Sequence, residues 1–252
     1  MKWFACAVFS LLACSAAATT PPELYTQGKY DAAKSAGIAQ NDAAGFAVAA
    51  RAALAAEMMR EKPCLQCIRD IEDLARRAIA ADSKLVDGQL YLAVALGYES
   101  RIIGPVAATS KGYATEASHH LDAALASAPD NGWVLAALGG WNIEIVRGGG
   151  ATLARWMYGA SAEDGLADFA KAFQAMPDNI VLRYQYALSL SAFDLTTYRR
   201  DVDDALNRAS TGKPQTAYEV FAQGRARQLR DTLKKGDLTA YQALVHHDQG
   251  YP

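Results

Sequence analysis

The chain is short of what breaks helices and of what builds catalytic or nucleic-acid-binding sites. Its 252 residues hold 8 Pro and 7 Phe. Basic tracts are missing as well. Twenty-five Lys and Arg against 27 Asp and Glu leave a net charge of −2, without the clustered cations that general nucleic-acid binding requires. No apolar run approaches the roughly 20 residues that cross a bilayer; the run from Trp3 to Ala13 falls well short. Hydrolase, nucleotide and protease motifs are lacking too. Gly159-Ala160-Ser161-Ala162-Glu163 lacks the closing Gly of a nucleophile elbow, and Gly104 to Gly112 lacks the Gly-Lys-Ser/Thr ending of a phosphate loop. What is abundant is alanine. The 52 Ala, about a fifth of the chain, favour helix because Ala loses no side-chain entropy on ordering. With 51% hydrophobic and 21% charged residues, the chain can bury a core, and an all-α fold is expected.

The N-terminus reads as an export signal over residues 1–18. Lys2 precedes the apolar run, and Ser15-Ala16-Ala17-Ala18 supplies the small side chains that a signal peptidase accepts. The rest, 19–252, is expected to be one domain, periplasmic or secreted. Leu11-Leu12-Ala13-Cys14 also resembles a bacterial lipoprotein box, so the alternative is a chain lipid-anchored in the cell envelope through Cys14. In either case Cys64 and Cys67 remain as a pair in an oxidising compartment.

Self-similarity is the strongest signal. Ala117 to Asn131 reads ASHHLDAALASAPDN, and Gly165 to Asn179 reads GLADFAKAFQAMPDN. They align without a gap. Ala117 matches Gly165, Leu121 matches Phe169, Ala124 matches Ala172, and Pro129 and Pro177 close the helices because Pro cannot continue one. A weaker third copy runs from Ile71 to Ser83. After each stop a second apolar helix is predicted: Val86 to Tyr98, Trp133 to Ile145 and Val181 to Phe193. Leu138-Gly139 in the middle one marks tight packing on a neighbour.

These segments resemble the tetratricopeptide repeat, whose pattern combines Leu-Gly, a later Ala four residues before an aromatic, and a closing Pro. Leu135 stands in place of its Trp and Asn142 in place of its Tyr. The resemblance covers roughly residues 22 to 210 and implies an α-solenoid of antiparallel helix pairs. The spacings from Ser83 to Pro129 and on to Pro177 exceed the family's 34 residues by about 12 to 14. The surplus is expected as inserted loops, within Ser100 to Gly112 and Arg147 to Tyr158. Capping helices are expected at about 215–247.

The resemblance implies a protein or peptide partner, and so a non-enzymatic binding scaffold of the bacterial cell envelope. Candidate partner-binding residues are Trp141, Arg147, Arg155, Trp156 and Tyr158, because Trp and Arg are enriched in binding hot spots. Trp133 and Trp141 also suit a helix interface. Two further readings stay open: a thiol–disulfide redox protein using Cys64 and Cys67, and a small-molecule carrier with the aromatic cluster lining an apolar pocket. Cys64-Leu65-Gln66-Cys67 lies at a helix N-terminus, where a thiol pKa is lowered. As a static disulfide it would contribute only about 2 kcal/mol, since the loop it closes is short. Neither a cofactor nor a metal is expected. Two cysteines do not complete a zinc site, and the adjacent His119-His120 and His246-His247 point about 100° apart on a helix.

Overall fold

A computed structural model describes residues 19–252, so the expected export signal and Cys14 lie outside the described residues. The described fold is all-α, with fourteen helices and no strand among those residues. They are α1 (Pro21–Thr26), α2 (Tyr30–Gln40), α3 (Ala43–Met58), α4 (Leu65–Ala81), α5 (Val86–Ile103), α6 (Pro105–Lys111) and α7 (Tyr113–Ser127). The second half supplies α8 (Gly132–Gly149), α9 (Ala151–Tyr158), α10 (Ala162–Ala175), α11 (Ile180–Asp194), α12 (Arg199–Thr211), α13 (Ala217–Lys234) and α14 (Leu238–Asp248). No helix is long and apolar enough to cross a membrane among the described residues.

The repeated Pro-Asp-Asn performs two operations. Pro129 and Pro177 stand two residues beyond the ends of α7 and α10. Asn131 and Asn179 then cap the helices that follow, accepting from Trp133 N at 3.0 Å and from Leu182 N at 2.9 Å. Each cap satisfies a backbone donor that has no partner inside its own helix. One tripeptide thus ends one helix and starts the next.

Partners approach closely where side chains are smallest. A Cβ placed on Gly139 of α8 would stand 2.7 Å from the Phe169 ring and 2.9 Å from the Gly165 carbonyl of α10. Gly37 and Gly45 make the same crossing between α2 and α3. The core follows from these crossings. One cluster gathers apolar side chains of α3, α4, α5, α7 and α8, another those of α8 and α10 to α14, and Leu125 and Trp133 pack against both.

The two expected inserted loops are helices instead: α6 and α9. Gly104 and Gly150 precede them and Gly112 and Gly159 follow, all four with φ between 68° and 83°. Glycine reaches that region without steric cost. The glycines therefore act as corners, and the Ala-bearing stretches between them stay helical.

Helices from near the two ends of the described residues also touch. Ala217 of α13 fills the space where Gly28, between α1 and α2, would carry a side chain. Tyr218 packs against the cluster built on Tyr25 and Tyr30. Helix α14 packs on α11 and α13, and the residues after it cross to earlier helices. Gly250 lies against Tyr98 of α5, the Gln249 carbonyl accepts from Arg101 at 3.1 Å, and the Tyr251 hydroxyl donates to Glu144 of α8 at 2.8 Å.

Candidate functional site

The structure divides the five candidate binding residues. Trp141 of α8 is half-buried, donates from Nε1 to the Ala114 carbonyl at 3.0 Å, and meets the Tyr158 ring edge-on with centroids 6.5 Å apart. Tyr158 packs against Val146, Ala154 and Ala160. Both are interface fillers, as an aromatic pair between helices commonly is. Arg147 faces the C-terminal tail, with Nε 3.0 Å from Glu144 and a second hydrogen bond to the Tyr251 hydroxyl. Burial opposes a charge on Glu144, but the Arg101 and Arg147 guanidiniums outweigh it and hold that carboxyl down at about 2.

Arg155 and Trp156 face outward. Trp156 is 81% exposed, and beside it on α9 are Leu153 at 44% and Met157 at 49%. These residues stand at i, i+3 and i+4, one face of a helix. Buried Ala154 turns the opposite side of α9 onto α8. Of the seven large apolar side chains left exposed among the described residues, three are these. Arg155 lies 3.6 Å from Asp164 and leaves much of its guanidinium in solvent. Adjoining large apolar side chains left in water form the kind of patch found at interaction surfaces.

No family model and no curated protein matches the chain.

The second candidate site is the cysteine pair. Cys64 and Cys67 are joined, S–S 2.05 Å and Cα–Cα 5.2 Å. Cys64 is the N-cap of α4, its sulfur accepting from Cys67 N–H at 3.2 Å. The residue that sequence reasoning missed here is Glu57, near the end of α3. It is only 5% exposed, its Oε1 accepts from Cys64 N–H at 2.6 Å, and a carboxylate oxygen stands within 4.8 Å of both sulfurs. Desolvation raises its pKa, partly offset by the Cys64 N–H and by Arg60. Among the described residues this is the one group of three potential metal ligands so gathered, and its sulfurs are bonded to each other.

The histidines serve as packing and surface residues. His120 is half-buried with Nδ1 2.5 Å from Gln89 Oε1, and His246 stacks on Tyr251. A further buried pair went unread in the sequence: Glu72 of α4 and Glu99 of α5, two carboxyls whose charges act on each other. Glu72 Oε1 and Glu99 Oε2 are buried without a hydrogen-bond partner, a cost that a proton held between the two carboxyls would relieve. Burial, with the Glu99 charge adding to it, pushes Glu72 up to about 8. Glu99 is shifted the other way: burial opposes its charge, but the neighbouring Glu72 carboxyl and hydrogen bonds from Tyr113 and Arg69 keep it below the usual range.

Proposed function

We propose that this chain is an exported scaffold of tetratricopeptide-like helix pairs that holds a protein or peptide partner on the outward face of α9. The observation that carries the reading is the exposed apolar triad Leu153, Trp156 and Met157 on one face of α9, with Arg155 beside it. Fully burying one such side chain is worth ~1.5–3 kcal/mol, and a central Trp with an adjoining Arg is the usual composition of a hot spot. The face lined by α5, α8 and α11 is a weaker candidate, because α14 and the tail already lie across it. A carrier pocket finds less support, since Trp141 and Tyr158 pack on each other.

The Cys64–Cys67 disulfide supports export, disulfides being characteristic of oxidising compartments. A periplasmic or secreted form, or an anchor at Cys14, follows from the first eighteen residues, and mass spectrometry of the mature N-terminus separates them.

A photo-crosslinking residue at position 157, with one at exposed Asn207 of α12 as control, tests the binding face. A discrete adduct at 157 alone is expected. The purified partner should then bind a Trp156→Ser variant at least ~10-fold more weakly, with the helical signal unchanged. Equal adducts at both positions, or affinity unmoved by Trp156→Ser, would overturn the assignment.

A further inference from the structure

We propose that Cys64, Cys67 and Glu57 form a thiol–disulfide exchange site that oxidises paired thiols of a protein substrate. The reading is independent of the α9 face.

Three features separate this site from a passive clamp. The first is asymmetry between the sulfurs. Cys64 caps a helix of 17 residues and receives the Cys67 N–H, so a negative charge on Cys64 is stabilised by the helix end. Cys67 receives no such bond. The second is Glu57, a carboxyl buried beside both sulfurs. A helix cap alone would be served as well by Asn or Ser, with no charge to bury. The third is access. Both cysteines are partly exposed, whereas the carboxyl is enclosed. A small cavity lined by Met58, Pro63, Ile68 and Ile102 adjoins it.

The chemistry divides accordingly. A substrate thiolate attacks Cys64 Sγ, forming a substrate–Cys64 disulfide and breaking the Cys64–Cys67 bond. The bonding electron pair leaves on Cys67, and Glu57, protonated, gives its proton to that sulfur. The second substrate thiol then loses its proton to Glu57 and attacks the substrate sulfur of the mixed disulfide. Cys64 leaves as a thiolate, the easier leaving group because its pKa is the lower. The substrate is oxidised by two electrons to a disulfide, the proton of its first thiol having gone to solvent. The protein ends as a Cys64 thiolate and a Cys67 thiol, with Glu57 protonated again. The Cys64–Cys67 disulfide is the oxidant, one equivalent per molecule.

Charged and titratable groups facing Glu57 are Arg60 and Glu61 after α3, Tyr98 of α5, and His247 and Asp248 of α14. His247 therefore needs its own control. The experiment follows a single turnover of the oxidised protein with a synthetic peptide carrying two cysteine thiols, from pH 5 to 9. Oxidation at least ~100-fold faster than by oxidised glutathione at equal concentration is expected, and Glu57→Gln should slow it ~10²-fold and abolish one inflection of the pH profile. His247→Gln should keep that inflection. Reduced Cys67→Ser, given the oxidised peptide, should trap it on Cys64 faster than Cys64→Ser traps it on Cys67. The proposal is overturned if the wild-type protein reacts no faster than glutathione, if Glu57→Gln keeps the wild-type rate and profile, or if Cys67 traps as fast as Cys64. The first comparison needs no variant, so a Glu57→Gln chain that failed to fold would leave the test intact.

Discussion

Phe169 shows how one side chain expresses the repeat. It is buried against Phe173 and Tyr186, with ring centroids 6.4 and 4.9 Å away, and Gly139 accepts its edge. Phe169→Ala should cost ~3–5 kcal/mol by cavity formation. Ala172→Leu, at a fully buried site three residues on, should cost ~1–3 kcal/mol by overpacking. Urea denaturation of each variant measures both. Glu72 gives a prediction in pH. Its folded value of about 8 lies above the ordinary 4.5, so between those limits the folded chain holds a proton that the unfolded chain has released. Its contribution to stability is then complete below about 4.5 and is lost as pH rises toward 8. Glu99, shifted down, contributes above the ordinary carboxylate range and loses that contribution in acid. Melting temperatures of the wild-type chain and Glu72→Gln, measured from pH 5 to 9, should diverge as pH rises, with the variant gaining on the parent. Parallel curves would show that the pair carries no shared proton.

At the scale of the helix, the sequence spelled out a good deal. Pro129-Asp130-Asn131 and its copy located two boundaries because stop and cap are both local chemistry. Leu138-Gly139 located a crossing, for a residue without Cβ is the one that admits a neighbouring backbone. Asn142, an odd residue in a tetratricopeptide pattern, proves to hold the entry to α10, accepting from Ser161 N at 3.2 Å. Glycine content misled at the insertions, because punctuation and flexibility look alike in one dimension. Neighbouring glycines test the crossing. Gly139→Ala should destabilise by ~1–3 kcal/mol through the clash with Phe169 and the Gly165 carbonyl. Gly140→Ala, with nothing within 4 Å of the new methyl, should stabilise by ~0.5–1 kcal/mol by removing unfolded-state freedom.

At the scale of the whole molecule, the decisive contacts join residues far apart in the chain: His247 with the Glu61 carbonyl at 3.1 Å, Tyr184 with Asp248 at 2.8 Å, Gly28 with Ala217. None of these was legible in the sequence. They depend on how all the intervening helices pack, and no short motif encodes that sum. Glu57 was missed for a related reason: it reaches the disulfide because α3 and α4 lie side by side, while its own neighbours in sequence read as an ordinary helix end. Asp248 tests how much the tail contributes. Its carboxylate is almost wholly enclosed and pairs with Arg225 of α13, so Asp248→Ala should cost ~3–5 kcal/mol by leaving that cation without its partner. Calorimetry should also show one transition for the parent chain, where an open stack of repeats can lose its ends first.

The meeting of α1 with α13 has a consequence for how such a chain can change over time. An open row of units tolerates duplication, since a newcomer needs only two neighbours. Here an added or deleted helix pair would part Gly28 from Ala217 and carry Tyr251 away from Glu144. Both contacts therefore oppose a change in the number of helix pairs between them.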